Sequence, residues 1–528
     1  NKLSFKSIRD YFDANELNVE TPRRCNNCVN CSDCSFQGHQ MSLREQYEYE
    51  VMQKNVTYDE LNKVFRVKYP FLEDPSILTN NINQVTKIAL REEKKLVREG
   101  LLDAFNKEFD NMIRHGALIE LTKESMAAWT GPVHYTSLQH IVKPESPTTP
   151  IRIVSNSSLP DRNGNSFNSI MMKGPNALSD QRDVVSRWRT YESALSTDLT
   201  KAYFSMKTGE VELHTRRVVW RYGRSDENWR HFGYATVSFG DKPAGVYLDI
   251  VINQAADRFH SIDPEAAEKI KNDRYVDDIA TGGSPSQVKR MAGKRQSSQN
   301  KFQTNGTLPA ILSEGALHLK AVVTSGEQDE EVLDKLGNSV LGINWDARSD
   351  LISIEMESPT MLETMVSIEN INELSLTMRK LLKIINKPHD ILGLLTPITI
   401  KAMVAYRDLF RIEPTLGWDD EIPTKEKQKW VKILRVFHEA SSIKLHRSTK
   451  PTSAVGDPEV VGYFDGSDDA YAGVVYLRWA LEDGSYEANL VCSKAKVTPL
   501  KRISTPRSEL NGAVLLSRLL LFFLKSCS

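Results

Sequence analysis

Two adjacent aspartates, Asp277 and Asp278, lie between short apolar runs in the segment Arg274-Tyr275-Val276-Asp277-Asp278-Ile279-Ala280, and a third acid, Asp198, stands upstream. The runs predict a β-hairpin, because aspartate tolerates the left-handed backbone that a two-residue turn requires. Neighbouring carboxylates repel, so one takes up a proton unless a cation lies between them. Three carboxylates could hold two hard ions such as Mg²⁺ for an in-line phosphoryl displacement. A solvated acidic turn is the alternative interpretation.

Four of the six cysteines lie close together, and a histidine follows them: Cys25, Cys28, Cys31, Cys34 and His39. Clustered cysteines in a chain without a signal peptide favour a metal over disulfides. Any four of these five side chains could form a tetrahedral Zn²⁺ site. The even spacing fits neither a zinc finger nor an iron–sulfur run, and free or redox-active thiols remain the alternative.

The composition is that of a globular protein, with 40% hydrophobic and 26% charged residues in a chain of 528. A chain of this length is expected to form about three or four domains. The formal net charge of −1 gives no overall attraction to nucleic acid, so such binding would need local basic patches. No signal peptide or membrane span is visible, which predicts a protein inside the cell. The first residue is Asn, and the sequence has the character of an excerpt from a longer polypeptide.

Helical and strand patterns alternate irregularly, which predicts an α+β fold with an antiparallel sheet. Strands are expected at 140–142, 151–154, 195–204, 218–222, 234–239, 460–465, 472–479 and 488–493. Helices are expected within 74–118, over 246–259, through most of 361–450 and from about Pro506 onward.

Several motifs together resemble the palm of reverse transcriptases. They are Asp198 with Tyr203 five residues on, the turn Phe239-Gly240-x-x-Pro243 opening a helix, and Tyr275-Val276-Asp277-Asp278. The downstream segments resemble BEL/Pao-type LTR retrotransposon Pol polyproteins, as does the head containing Pro22-Arg23-Arg24-Cys25. These segments are 392–397, Trp418-Asp419-Asp420, 493–501 and Thr505-Pro506-Arg507-Ser508-Glu509-Leu510. The resemblance covers most of the chain, which is identified as a Pao-like polymerase fragment.

The resemblance implies a role for each residue of the palm. Asp198, Asp277 and Asp278 become the catalytic carboxylates that bind two Mg²⁺ or Mn²⁺ ions. Tyr203 becomes the steric gate that selects deoxynucleotides. The other implied dNTP-binding residues are Arg152 and Lys143 at the triphosphate, and Phe239 and Gly240 in the nucleotide pocket.

Two positions depart from the family pattern. An acidic residue is expected after Arg152-Ile153-Val154, where the chain has Ser155-Asn156. Asp198 is followed by Leu-Thr-Lys rather than Ile-Glu-Lys. Neither change removes a metal ligand.

The C-terminal strands resemble part of a ribonuclease H domain. Asp465 ends a strand and Glu509 lies on the following helix, and the resemblance makes both of them Mg²⁺ ligands. The site needs a further aspartate on a later strand, and the sequence ends at Ser528 before one. Asp468 and Asp469 are too near Asp465 to replace it and are interpreted as turn residues. This half-domain is therefore expected not to cut RNA.

The resemblance implies a multidomain α+β protein of right-hand polymerase architecture. The expected parts are a Cys-rich region over 1–60, fingers and palm over 61–345, a helical thumb and connection over 346–455, and a truncated RNase H-like α/β domain over 456–528.

The function expected from the resemblance is RNA- and DNA-directed DNA synthesis for a retrotransposon. The implied partners are an RNA template, a DNA primer/template, an RNA–DNA hybrid, dNTPs, and the protease and integrase parts of the same polyprotein. The implied location is a cytoplasmic virus-like particle, with the nucleus as a second compartment. One alternative is a domesticated or decayed copy that binds nucleic acid without polymerising, although all three palm carboxylates are present. Another is a zinc-bearing interaction module, which accounts only for 1–60.

Overall fold

The computed structural model describes residues 41–142, 151–175, 179–295, 302–337, 339–366 and 374–527. Lys143 and the predicted zinc ligands Cys25, Cys28, Cys31, Cys34 and His39 lie outside these ranges. Within them the chain is α+β, as predicted, and its paired strands form antiparallel sheets. None of the described helices is long and apolar enough to cross a membrane.

The first part of the chain contains α1 (Leu43–Lys54), β1 (Val56–Asp59), β2 (Val64–Val67), α2 (Ile82–Glu99), α3 (Leu102–Arg114), β3 (Leu118–Glu120), α4 (Lys123–Ala128) and β4 (Ser137–Val142). Ser42 and Glu45 form a capping box that begins α1. Gly100 ends α2 with a φ of 69°, a left-handed conformation that glycine adopts without strain. The helical pattern over 74–118 is therefore divided into two helices.

The middle of the chain contains β5 (Ile151–Asn156), α5 (Gln181–Thr190), β6 (Ser193–Leu199), α6 (Glu210–Thr215), β7 (Arg217–Trp220), β8 (Arg230–Tyr234), α7 (Ala244–Arg258), α8 (Pro264–Asn272), β9 (Arg274–Tyr275), β10 (Asp278–Gly283), α9 (Pro285–Ala292), α10 (Thr307–Ser313), β11 (Leu319–Thr324), α11 (Glu330–Leu336), β12 (Ser339–Val340), β13 (Ile343–Asp346) and β14 (Leu351–Ser353). Two smaller sheets have the strand orders β3-β8-β7 and β4-β5.

The central sheet has the strand order β11-β6-β10-β9. Leu195 and Ile279 lie in one hydrophobic cluster with the buried helix α7. Ala194 and Ala280, which project to the opposite face, lie in a second cluster with Trp188 of α5. Because both faces are covered, the register of this sheet is strongly specified: a slip of one residue would exchange the two faces.

Two predicted strands end earlier than expected. The strand predicted over 195–204 stops at Leu199, and the chain turns through Lys201, whose φ is 49°, into a short 3-10 helix at Ala202–Ser205. The strand predicted over 234–239 covers only Tyr234, at the end of β8. Beyond it the chain forms only an isolated antiparallel bridge between Thr236 and Lys207, and the carbonyls of Tyr234 and Thr236 accept hydrogen bonds from the guanidinium of Arg216.

The last part of the chain contains α12 (Pro359–Val366), α13 (Met378–Ile385), α14 (Thr396–Leu409), α15 (Thr424–Ala440), β15 (Leu445–His446), β16 (Ala454–Gly466), β17 (Ala470–Leu481), β18 (Tyr486–Val497) and α16 (Thr505–Cys527). This order agrees with the helical stretch, the three strands and the final helix that the sequence predicts. The three long strands form one sheet in the order β16-β17-β18. The helix α16 packs against it closely, because a Cβ atom on Gly473 would lie 3.0 Å from the backbone of Leu516.

Two buried arginines connect the helix α5 to the C-terminal strands. Arg447 precedes β16 and forms a bidentate ion pair with Asp350, at 2.8 Å for both contacts, while it also donates to the carbonyl of Trp188. Arg189 donates to the carbonyl of Val491 in β18 at 3.0 Å. These contacts fix the position of the C-terminal sheet relative to α5.

Candidate active site

Asp198 and Asp278 lie directly opposite each other on the neighbouring strands β6 and β10. Residues opposite each other in an antiparallel pair project to the same face of the sheet. The two carboxylates therefore share one face, the same face as Ala194 and Ala280. The sheet register brings together two acids that lie far apart in the sequence.

Asp277 lies on the turn of the predicted hairpin. The turn consists of Val276 and Asp277. It connects Tyr275 of β9 to Asp278 of β10, and these two residues form the first pair of the hairpin. The left-handed residue is Val276, with a φ of 58°, rather than an aspartate as the sequence suggests. Such a conformation is strained for a β-branched residue. The Asp277 carbonyl accepts a hydrogen bond from the Leu199 N–H at 3.1 Å, which joins the turn to the end of β6.

All three carboxylates are half-buried, and their pKa values are raised. Burial, followed by the charges of Asp277 and Asp278, raises the pKa of Asp198 to about 7. Burial and then Asp277 raise the pKa of Asp278 to about 6, and burial raises the pKa of Asp277. The main cause of these shifts is burial, which disfavours the charged form of a carboxyl group, and the repulsion between neighbouring carboxylates adds to it at Asp198 and Asp278.

The donor chemistry of this group fits a hard divalent cation that is only partly held by protein. In the part of the chain that the structure describes, no three His, Cys, Asp or Glu side chains converge closely enough to hold one metal ion between them. Mg²⁺ is usually bound by one or two carboxylates together with water and substrate phosphates. Asp198 and Asp278 on one face, with Asp277 beside them, fit that kind of site rather than a closed protein cage.

Two positive side chains lie close to the acids, and only one of them, Arg152, was predicted from the sequence. Arg152 of β5 is exposed, and its charge lowers the pKa of Asp198 and Asp277 against the effect of burial. Lys320 of β11 does the same for Asp198 and Asp278. Lys320 lies at an irregularity in the pairing of β11 with β6, and its only sequence signal is a single cation in an apolar strand.

Tyr203 and Phe239 lie together beside the acids. The 3-10 helix places the ring of Tyr203 4.7 Å from that of Phe239, with an angle of 71° between the ring planes. Burial and then the charge of Asp277 raise the pKa of the Tyr203 phenol, which places this ring near the hairpin turn. Phe239 remains 40% exposed, whereas Tyr203 is partly buried and packs against the core cluster around α7, so the pair lies at the edge of the core.

The backbone at Gly240 packs closely against strand β5 of the same chain. Its φ is 104°, and a Cβ atom there would lie 2.2 Å from the carbonyl oxygen of Ser155 in β5. Asn168 also donates to the Gly240 carbonyl at 2.8 Å. The glycine therefore lets the turn that begins at Phe239 lie against the strand that carries Arg152.

A buried ion pair behind this turn was not predicted from the sequence. Asp241 accepts hydrogen bonds from Arg216 at 2.7 Å, from the Tyr69 hydroxyl at 2.5 Å and from the Ser157 hydroxyl at 2.6 Å. The side chains of Arg216 and Asp241 are fully buried. Asp241 directly follows Gly240 in the sequence, but an aspartate after a glycine is too common to indicate a buried partner.

Asp465 and Glu509 come from the contact between β16 and α16. A Cβ atom on Gly466 would lie 2.5 Å from the Glu509 backbone nitrogen, and one on Gly512 would lie 2.9 Å from the Asp465 carbonyl oxygen. The two acids thus come from adjoining backbone segments, with Asp465 exposed and Glu509 half-buried.

The carboxylate of Asp469 pairs with an arginine of α14 rather than with Asp465 and Glu509. Its carboxylate accepts a hydrogen bond from the buried Arg407 at 2.8 Å, and the carbonyl of Asp468 accepts one from Thr498 at 2.7 Å. These contacts agree with the interpretation of both aspartates as turn residues.

Comparison with known proteins gives one family match. Residues 377–528 match the family model described as "Pao retrotransposon-like RNaseH-like domain". No curated protein matches the sequence.

Two solved structures show a weak overall likeness. One is the foamy viral protease-reverse transcriptase in complex with double-stranded DNA, at 12% identity and a TM-score of 0.47, over 80% of this chain and 60% of that one. The other is the foamy viral protease-reverse transcriptase in complex with an RNA/DNA hybrid, at 13% identity and a TM-score of 0.45, over 93% of this chain and 57% of that one. The chain thus spans no more than 60% of the length of either structure. The match of residues 377–528 to this family model confirms the resemblance of the C-terminal part of the chain to Pao-type retroelements.

Proposed function

We propose that the chain is the RNA- and DNA-directed DNA polymerase of a Pao-type retroelement, with Asp198, Asp277 and Asp278 as its catalytic carboxylates. The observation that carries the proposal is the direct opposition of Asp198 and Asp278 across β6 and β10, with Asp277 on the adjoining turn. Half-buried acids with raised pKa values are typical of functional sites. The Pao family match of residues 377–528 supports the retroelement setting.

The three carboxylates would hold two Mg²⁺ or Mn²⁺ ions, which when bound lower the pKa of a primer 3′-hydroxyl and neutralise the triphosphate. The chain's own cations complement that chemistry. The guanidinium of Arg152 projects from β5 close to Asp198 and Asp277, and its planar fork suits phosphate oxygens. Lys320 balances the charge of the acids from β11. Lys143, outside the described residues, is proposed as a further triphosphate contact.

The aromatic pair would form the sugar side of the nucleotide pocket. The ring of Tyr203 packs edge-on against Phe239 and also against the core cluster around α7, and these contacts would hold it beside the acids. A braced ring beside Asp277 would exclude a 2′-hydroxyl and admit a deoxynucleotide. Gly240 would set the depth of the pocket, because it lets the turn pack against β5.

The rest of the chain is assigned on the same basis. We propose fingers and palm over 61–345, thumb and connection over 346–455, and a partial RNase H-like domain over 456–528. The region 1–60 is proposed to bind Zn²⁺ through Cys25, Cys28, Cys31, Cys34 and His39. The proposed partners are an RNA template, a DNA primer/template, an RNA–DNA hybrid and dNTPs, in a virus-like particle.

The C-terminal sheet is not proposed to cut RNA. Asp465 and Glu509 are brought close by the contact of β16 with α16, yet among the residues that the structure covers no further acid joins them to complete a metal site. Hydrolysis by two metal ions needs a clamp on both the attacking and the leaving oxygen, and two carboxylates at one side do not provide it.

Primer extension tests the proposal directly. The purified chain should extend a DNA primer on RNA and on DNA templates with Mg²⁺ or Mn²⁺, and the double variant Asp277→Asn, Asp278→Asn should abolish extension. The matched control is Asp419→Asn, Asp420→Asn, an adjacent aspartate pair on an exposed segment, which should retain activity. Extension that survives the hairpin variant would refute the site. A chain that binds primer–template but never extends it would favour the decayed, nucleic-acid-binding alternative.

A further inference from the structure

The hairpin that carries Asp277 and Asp278 has little support of its own. Its first strand, β9, consists of two residues and pairs with β10 only through Tyr275 with Asp278 and Arg274 with Ile279. The turn between them holds Val276 at a φ of 58°. A β-branched residue persists in this conformation only where its surroundings hold it there. Two strand pairs are a short support for a strained turn, so contacts from outside the hairpin must help to hold it.

Arg274 provides the most extensive of these contacts. Its side chain is 3% exposed and forms an ion pair with Asp249 of α7, whose side chain is 8% exposed. The same guanidinium donates to the Asn253 side-chain oxygen at 2.8 Å, one helical turn further along α7. Its other terminal nitrogen lies 3.5 Å from the carbonyl oxygen of Val276. One planar group therefore joins the helix to the strained residue.

The helix α7, which carries Asp249 and Asn253, is held firmly in the core. Ten residues of α7 are buried, and the helix begins directly after the turn that contains Phe239 and Gly240. Asp249 lies in its buried stretch, so the carboxylate that receives Arg274 is fixed by the core. The guanidinium can reach α7 and the turn at once because its fork carries two terminal nitrogens: Nη2 binds both Asp249 and Asn253, and Nη1 lies near the Val276 carbonyl. A lysine has a single nitrogen and offers one point charge.

We propose that Arg274 is a positioning residue for the catalytic carboxylates: anchored to Asp249 and Asn253, it holds the Val276 turn so that Asp277 stays beside Asp198 and Asp278, whose own register is set by the pairing of β10 with β6. Arg274 is buried against α7 and acts through the turn. This inference rests on the proposed polymerase function, because it concerns how that site is held. Displacement of a reacting group by about an ångström is enough to lower a rate by orders of magnitude.

Arg274→Lys tests the proposal with the least disturbance, since it keeps the buried charge and removes the fork. At saturating dNTP the turnover rate should fall by about tenfold or more, while the Kd for primer–template stays within about twofold. The matched control is Arg221→Lys. Arg221 forms a partly buried bidentate pair with Glu93 of α2, far from the hairpin in sequence, and its loss should lower the melting temperature without changing the turnover rate.

A second variant separates positioning from stability. Arg274→Met combined with Asp249→Asn removes both charges, so no unpaired ion is left in the core. If the pair merely stabilises the fold, this double variant should regain full turnover at a temperature well below its melting point. If Arg274 positions the hairpin, the rate should stay low. Full turnover in either Arg274 variant, in a folded protein, would overturn the proposal while leaving the polymerase function intact.

Metal binding gives a readout that does not depend on turnover. Mn²⁺ bound by the full chain is counted by electron paramagnetic resonance, and the site-specific part is the difference between the wild-type chain and Asp277→Asn, Asp278→Asn. Arg274→Lys should weaken that part by about tenfold, and unchanged Mn²⁺ affinity would contradict the inference. If the wild-type chain binds Mn²⁺ but does not extend primers, the polymerase proposal fails. The Mn²⁺ affinity of Arg274→Lys then still tests whether Arg274 positions the carboxylates. If the wild-type chain binds no Mn²⁺ at the hairpin, both proposals fail.

Discussion

The guanidinium of Arg216 is wholly buried against the carboxylate of Asp241, with 2.7 Å between Nη1 and Oδ2. Tyr69 adds to the contact from both sides, since its hydroxyl donates to Asp241 and its ring lies 4.8 Å from the guanidinium carbon. The pair lies directly behind Gly240, so it connects the β7 region to the turn that faces the acids. It is thus both a stability element and the support of the proposed nucleotide pocket.

Asp241→Ala should destabilise the chain strongly. It leaves the Arg216 charge buried without its partner, which is expected to lower the free energy of unfolding by roughly 3–5 kcal/mol. Urea denaturation at constant pH measures this loss. The control is Glu120→Ala, which breaks an ion pair with Arg230 in which both side chains are at least 40% exposed. Exposed pairs contribute about 1 kcal/mol or less, so similar losses in the two variants would show that the buried pair has no special weight.

Gly240→Ala should destabilise the turn by a clash as well as by backbone strain. An alanine Cβ would meet the carbonyl of Ser155 at 2.2 Å, and that oxygen belongs to strand backbone that cannot move aside easily. The melting temperature should fall and the KM for dNTP should rise, because the turn would have to leave β5.

The control for this prediction is Gly484→Ala. Gly484 also has a positive φ, of 81°, but nothing lies within 4 Å of its Cβ position. Its substitution should lower the free energy of unfolding only by the cost of the left-handed backbone conformation, about 1–2 kcal/mol. Equal effects in the two variants would mean that the contact with Ser155 does not constrain the turn.

The pairing of the acids is predictable from the sequence, whereas the contacts that hold them are not. Asp198 lies one residue before the end of β6 and Asp278 begins β10, and the resemblance of their motifs to a polymerase palm predicts that the two acids meet. The hairpin motif by itself indicates only that β9 and β10 are neighbours. Arg216 and Asp241 carry no such signal, since an arginine after a short helix and an aspartate after a glycine are both ordinary surface patterns. Their meeting depends on how β8 and the following turn pack.

The conformation of the Val276 turn could not be predicted from local residue preferences either. Local preference assigns the left-handed position to aspartate, yet Val276 occupies it. The tertiary contacts of Arg274 with α7 and of Leu199 with Asp277 outweigh the preference of a valine side chain. The position of Lys320 near the acids could not be predicted for a similar reason. It depends on an irregular pairing of β11 with β6, which is a property of the assembled sheet.

His214 should make the chain less stable in mild acid. Burial, and then the charge of Arg217, lower the pKa of His214 to about 4. Nδ1 of the ring accepts hydrogen bonds from Arg217, at 2.7 Å for the shorter one, which only the neutral ring can do. Glu210 lies 3.5 Å from Nε2, but it is 73% exposed and therefore a weak counter-charge.

The sign follows from the protons bound in each state. Between pH 6.5 and about 4 the unfolded chain holds a proton on His214 that the folded chain does not, so stability falls as pH falls through this window. The loss amounts to about 3 kcal/mol once the pH is below 4. Unfolding free energies of His214→Asn should be less dependent on pH in this window. Exposed His389→Asn is the control and should follow the wild-type slope, and a wild-type slope in His214→Asn would contradict the assignment.

Tyr203→Ala should let ribonucleotides into the proposed pocket. The Tyr203 ring stands 4.7 Å from that of Phe239, and truncation to a methyl group opens the space that a 2′-hydroxyl would need. The ratio of kcat/KM for dNTP over rNTP, measured by single-nucleotide extension, should fall by about tenfold or more, since excluding a hydroxyl by shape is worth one to a few kcal/mol.

Tyr203→Phe is the matched control for the gate, because it keeps the ring and removes only the phenol oxygen. If the ring is the barrier, discrimination in this variant should stay near the wild-type value. If discrimination falls equally in both variants, the hydroxyl rather than the ring makes the selection. If Tyr203→Ala extends primers with unchanged sugar preference, Tyr203 is part of the packing around Phe239, and the sugar must be recognised from another side of the pocket.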